Sequence, residues 1–172
     1  MIDRLWAGWR IPYVENDERA HERHRANGMS LFEGIEQSGL PDEQTYVLWR
    51  GERCFALLNA FPYTSGHLMV APFHHTPNVE DLDDDEMFEV GRLIAHGVRW
   101  LKKAYDPQGF NIGANIGAAG GAGIPSHVHW HIVPRWSGDT NFMTTVGDVR
   151  VLPQSLQDSY DLLRKIVEED AV

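Results

Sequence analysis

His127-Val128-His129-Trp130-His131-Ile132-Val133 is the stretch on which the fold turns. Histidine alternates with an apolar residue, which is the period of a β-strand. The three imidazoles therefore share one face, and Val128, Trp130 and Ile132 share the other. Neighbouring rings on such a strand stand ~6.6–6.8 Å apart along it. Histidines on a solvated strand face need no special explanation, but three in strict register opposite an apolar face do. Two chemistries use such a row. Alternating histidines can supply zinc ligands, or they can line a phosphate group, one as nucleophile and the others as flanking donors.

The residues before the row favour an anion. Gly117 to Gly123 (GAAGGAG) holds four glycines in seven residues and runs through Ile124 and Pro125 to Ser126. A glycine-rich turn lets backbone N–H groups converge on an oxyanion without interference from Cβ atoms, with Gly121 and Gly123 as candidate donors. Asn115 leads into this loop with an amide able to reach a phosphate or leaving-group oxygen, and Ser126 is the nearest hydroxyl. No acidic residue lies between Asn111 and Trp136. Zinc-bound histidines usually lean on carboxylate or carbonyl partners, whereas an anion site keeps carboxylates away.

Working outward, Phe110 to Ile116 alternates Phe110, Ile112, Ala114 and Ile116 with Asn111, Gly113 and Asn115, a second strand. Two β-like runs, TYVLWR from Thr45 and RCFALLN from Arg53, flank Gly51 as a hairpin. HLMVA, from His67, is a further short strand stopped by Pro72. Between Asp83 and Tyr105 the apolar positions Met87, Val90, Ile94, Val98 and Leu101 step by three or four, the period of an amphipathic helix. Asp83 and Glu86 are spaced as a capping box at its start. Ser155 to Glu168 repeats the pattern with Leu156, Tyr160, Leu163 and Val167. Antiparallel strands with helices on one face make an α+β domain of about five strands. Residues 1–29, with Trp6, Trp9 and Tyr13, are expected to be an N-terminal arm packing on a single domain that spans 30–172.

The chain has 172 residues and a formal charge of −10. That balance argues against a protein that grips nucleic-acid backbone over a wide surface, though not against a small phosphate site. One cysteine, Cys54, excludes an internal disulfide and a multi-cysteine zinc site. No apolar run approaches the ~18–20 residues of a membrane span, and the N-terminus lacks a signal-peptide core, so a cytoplasmic protein without membrane partners is expected.

The run from His127 to Val133 resembles the signature of the histidine triad family, three histidines each followed by apolar residues. Leu58-Asn59, Pro62 and Gly66-His67 resemble the family's ribose-binding strand and turn. Leu5-Trp6-Ala7, Trp9-Arg10 and the segment Val133-Pro134-Arg135-Trp136 with Gly138-Asp139 and Asn141-Phe142 resemble a bacterial branch near the fragile histidine triad proteins and the diadenosine tetraphosphate phosphorylases. The resemblance implies that His129 attacks the α-phosphorus of an adenosine-type polyphosphate and forms a nucleotidyl-histidine, with His127 and His131 offsetting charge. It implies Asn59 on the ribose, Leu31, Phe32, Ile35 and Leu58 as a purine slot, and His67 shaping the nucleotide site. It further implies a homodimer and no required cofactor, with Mg²⁺ only as a companion of a polyphosphate substrate. Phosphorolysis by inorganic phosphate and phosphoramidate hydrolysis are alternative reactions, and a non-catalytic zinc- or nucleotide-binding module is the rival from another class. Many relatives carry Cys-x-x-Cys where this chain has Ser30-Leu31-Phe32-Glu33, and those cysteines help hold a structural zinc. Ser30 and Glu33 are poor thiolate replacements. No such zinc is therefore expected, and His74 and His75 become surface histidines or vestiges.

Overall fold

The computed structural model describes residues 29–139 and 154–170. The expected 1–29 arm (all but its last residue) and the segment bearing Asn141 and Phe142 lie outside them. Five strands, β1 (Val47–Arg50), β2 (Cys54–Leu58), β3 (Leu68–Pro72), β4 (Gly109–Ala114) and β5 (Trp130–Arg135), form one antiparallel sheet in the order β1-β2-β3-β5-β4. The helices are α1 (Leu31–Gln37), α2 (Asp42–Thr45), α3 (Asp84–Tyr105) and α4 (Leu156–Glu169).

Period two sorts the sheet into two faces. Leu48, Cys54, Ala56, Leu58, Leu68, Val70 and Ile132 pack against Val90, Leu93, Trp100 and Leu101 of α3 and against Tyr160, Leu163, Ile166 and Val167 of α4. Val47, Phe55, Leu57, Met69 and Ala71 face the other way and are closed by Phe32 of α1. The long helix starts where its sequence says. The Asp83 side chain accepts from the Glu86 backbone N–H, and the Glu86 carboxylate accepts from that of Asp83, satisfying two donors that a helix start leaves orphaned. The β1–β2 turn is tied to α3 by Glu89, which accepts from the Arg53 and Cys54 N–H groups. A Cβ on Gly51 would stand 1.8 Å from that carboxylate, so only glycine lets the two approach.

Three expectations are corrected. The strand through the histidine row begins at Trp130 rather than His127. Pairing of β3 with β5 ends at Val70 opposite Trp130, because Pro72 has no N–H and its carbonyl is taken by the His127 ring. The Val128 N–H turns instead to the Thr76 carbonyl at 2.7 Å. Strand β4, expected over Phe110 to Ile116, spans Gly109–Ala114, and at the edge of the sheet it leaves Ile112 48% exposed, with Ile116 beyond its end at 43%. Pro72 closes β3 from within, pairing with Cys54. Helix α1 went unrecognised because Ser30 and Glu33 invite comparison with a pair of cysteines. In the structure they are its capping box.

Candidate active site

His127 and His129 lie just before β5 and His131 within it, between the sheet face closed by α1 and the loop that follows β3. His131 pairs with Met69 in the ladder and so shares its face. His127 and His129 are buried, 0% and 2% exposed. The Phe32 ring lies beneath both, 5.0 Å from each imidazole.

Hydrogen bonds to groups of fixed polarity assign the ring protons. His129 Nδ1 is 2.8 Å from the His127 carbonyl, which can only accept, so Nδ1 carries the proton and Nε2 is left with its lone pair. His127 Nε2 is 2.9 Å from the Pro72 carbonyl and must donate, so its Nδ1 accepts from the Ser30 hydroxyl at 2.8 Å. The Tyr63 N–H donates to His67 Nδ1 at 3.1 Å. His67 therefore donates from Nε2 to His131 Nδ1, 3.0 Å away, and the His131 proton resides on Nε2. The row thus presents a bare nitrogen on His129 beside an N–H on His131, with the two rings 4.9 Å apart.

Charge follows from burial. Desolvation pushes His127 down to about 4, against the opposing pull of the Pro72 carbonyl. Desolvation likewise brings His131 to about 4, helped by His129. His129 is lowered too, chiefly by burial and despite its bond to the His127 carbonyl. All three rings are neutral at pH 7. A neutral His129 is what a nucleophile needs, but the expectation that His127 and His131 offset charge is corrected: His131 keeps an N–H dipole to offer, while both His127 nitrogens are spent on Pro72 and Ser30.

These depressed values make the fold acid-sensitive. An unfolded histidine takes up its proton near pH ~6.5, whereas the folded rings of His127 and His131 wait until about pH 4. Unfolding between those limits absorbs protons, so stability is full above pH ~6.5 and falls as pH drops toward 4. Urea unfolding at pH 5 should show a lower midpoint than at pH 7 and an uptake of about two protons. Equal midpoints would contradict this burial.

The remaining site residues divide. Asn59 ends β2 beside His67, with its Oδ1 accepting from the Phe61 N–H at 2.8 Å and its Nδ2 3.4 Å from His67 Nδ1. His67 is fully buried and holds His131, a role the sequence left open. Leu31 and Ile35 are half-buried on α1. Phe32, at 1% exposure, supports the rings and is covered by them, so it is no wall of an open slot. Leu58 is corrected outright: it packs on the α3 face, away from the histidines. Asn115 Nδ2 donates to the Gly121 carbonyl at 3.4 Å and so pins its own loop. The N–H groups of Gly120, Gly121 and Ala122 are committed to the Gly117 and Ala118 carbonyls, which removes Gly121 from any anion cradle. Gly123 and Ser126 are exposed on the loop, and no described contact links either to the triad.

Sequence reasoning missed Ser30, Glu33 and His75. Besides binding His127, Ser30 Oγ accepts from the Glu33 N–H, and Glu33 Oε2 lies 2.9 Å from His75 Nδ1. The His75 ring stacks on His127 at 5.2 Å. The signal was present, since Ser-x-x-Glu before apolar residues is a capping-box pattern. Among the described residues no group of three or more His, Cys, Asp and Glu is arranged to hold a metal ion. No described helix is long and apolar enough to cross a membrane.

An α+β domain whose antiparallel sheet ends in a row of neutral imidazoles, one of them with an unprotonated nitrogen that accepts no hydrogen bond among the described residues, defines a histidine-triad protein. The HIT domain family model matches residues 41–138, more than half of the chain, and the chain belongs to that family. It is 39% identical over 163 residues to AP-4-A phosphorylase of Mycobacterium tuberculosis, covering 94% of this chain and 83% of the relative. It is 30% identical over 93 residues to the asymmetrical bis(5'-nucleosyl)-tetraphosphatase of Schizosaccharomyces pombe, covering 54% of this chain and 50% of that protein. A zinc-bound histidine triad family protein from Mycobacterium smegmatis superposes with a TM-score of 0.65 at 25% identity, covering 81% of this chain and 94% of that one.

Proposed function

We propose that the protein is a nucleotide hydrolase or transferase that cleaves adenosine-type dinucleoside polyphosphates at the α-phosphate through a nucleotidyl-His129 intermediate. The observation that carries this reading is the 2.8 Å bond from His129 Nδ1–H to the His127 carbonyl, which leaves Nε2 as a neutral nucleophile. The likeness to a phosphorylase and a tetraphosphatase of such substrates supports the substrate class.

In the first step the Nε2 lone pair forms a bond to the α-phosphorus. The bond from phosphorus to the bridging oxygen breaks, and its electron pair leaves with the departing nucleotide. Positive charge grows on the His129 ring and strengthens its Nδ1–H bond to the carbonyl, while the His131 Nε2–H donates to a phosphoryl oxygen. In the second step water or inorganic phosphate attacks the same phosphorus, the P–N pair returns to Nε2, and the proton of the attacking water or phosphate hydroxyl is released to solvent. Every protein group in this scheme is a side chain or carbonyl of the site, and Mg²⁺ enters only as a companion of the substrate's phosphates.

Diadenosine tetraphosphate should be turned over in both the presence and the absence of phosphate. The nucleotide from the transferred half is AMP when water is the acceptor and ADP when phosphate is. Absence of turnover of diadenosine tri- and tetraphosphate at micromolar enzyme would refute the reading. A product that stays AMP at millimolar phosphate would leave hydrolysis as the reaction.

The protein acts in the cytoplasm as a homodimer in this proposal, joined along the exposed β4 edge with Ile112 and Ile116 in the contact. An unpaired strand edge bearing large apolar side chains is a ready template for a second copy. Sedimentation at tens of micromolar should give twice the 19.5 kDa mass, and a purely monomeric species would remove the dimer.

A further inference from the structure

The positions where the family resemblance places two zinc-binding cysteines are wired here in another way. Ser30 Oγ accepts from the Glu33 N–H at 3.1 Å and touches His127 Nδ1 at 2.8 Å. The Glu33 carboxylate takes the Ser30 N–H at 2.7 Å and lies 2.9 Å from His75 Nδ1, whose ring stacks on His127. A zinc ion held here would need a hydroxyl and a carboxylate in place of thiolates, and would have to displace the α1 capping box. The donor set does not fit the metal.

We propose that Ser30 is a positioning residue for the triad, the centre of a metal-free clamp in which hydrogen bonds tie Ser30 to Glu33 and His127, a carboxylate–imidazole contact ties Glu33 to His75, and ring stacking ties His75 to His127. The serine hydroxyl has one proton. It accepts from the helix start and so gives that proton to His127 Nδ1, while His127 Nε2–H is spent on the Pro72 carbonyl. Both nitrogens of His127 are then fixed, and the ring cannot turn without breaking one bond. The backbone of the same residue offers the carbonyl that orients His129. Ser30 thereby acts on the nucleophile through His127, without touching substrate.

Three substitutions in the full chain separate this role from helix capping. Ser30→Ala removes both functions, and Ser30→Thr keeps both. Ser30→Asp keeps an N-cap acceptor but has no proton to give. The alanine and aspartate forms should lose about 10- to 100-fold in kcat with KM within about twofold, the scale of a nucleophile held slightly out of line. Threonine should restore the rate. The kinetic arm rests on the function proposed above, so a second readout is independent of turnover. The His129 Nδ1–H should give a slowly exchanging downfield ring-proton signal in the wild type and the threonine form, and lose it in the other two. The wild-type protein should also hold no stoichiometric zinc, with melting unchanged by a chelator. Wild-type kcat or ring signal in Ser30→Ala, failure of threonine to restore them, or one chelator-sensitive zinc per chain would each overturn the clamp. A wild type without turnover would sink the proposed function alone, leaving the ring signal and zinc content to decide this proposal.

Discussion

His129→Ala should lower turnover by about four orders of magnitude or more while nucleotide affinity stays within a few-fold. What remains after the substitution can bind and polarise but cannot form the P–N bond. Asn59, the half-buried Leu31 and Ile35, and the His131 Nε2–H are all left in place. The intermediate gives a second signature. A phosphoramidate is labile in acid and durable in base, so label from an α-labelled substrate should remain on wild-type protein after an alkaline quench only. None should remain on the variant after either quench. If His129→Ala retains more than about a hundredth of the wild-type rate, the covalent route is wrong. The same logic separates His129 from His127. The His127 ring is tied to Ser30 and Pro72, so its removal disturbs the frame rather than removing a group that meets phosphate.

Those ties also show how far the sequence could be read. The long helix, the hairpin about Gly51 and the last helix were legible because each bears a local signature: a capping box, a turn glycine, a 3.6-residue period. The sheet faces were legible as well, since Trp130 and Ile132 join the α3 core as their alternation required. Where β5 begins was not legible. That depends on Pro72, 58 residues ahead of Trp130 in the chain, having no N–H to offer. Leu58 was misplaced for a related reason. An apolar residue beside Asn59 satisfies either face of a buried strand, and only the register with Leu68 puts it under α3.

In the site, the residue types were visible but their protons were not. Which nitrogen of His129 is bare follows from a backbone carbonyl two residues earlier, and that of His131 from the Tyr63 N–H acting through His67. Neither contact leaves a trace in composition or spacing. The charge state was misjudged similarly. Reference values make a histidine cluster partly cationic at pH 7, and only burial of His127 and His131 reveals that it is not. The glycine loop is the converse case. Its pattern suits an anion, yet three of its amides are consumed within the turn.

Phe32 is where fold and chemistry meet, and Phe32→Ala should be the most damaging single truncation on the site face of the sheet. The ring is 1% exposed, lies 5.0 Å from the His127 and His129 rings, and meets Phe55 edge-on at 6.0 Å. Emptying such a position typically costs about 3–5 kcal/mol, because lost transfer energy and the residual cavity add. For a chain of this size that corresponds to a fall in Tm of roughly 6–20 °C. The cavity would open directly beneath the nucleophile, leaving His129 held by its single bond to the His127 carbonyl. Activity at a temperature where the variant is still folded should therefore fall as well, through kcat rather than KM. Phe32→Leu keeps most of the volume and should lose much less in both respects. If Phe32→Ala melts within about 3 °C of the wild type, the ring is not the support that its burial makes it.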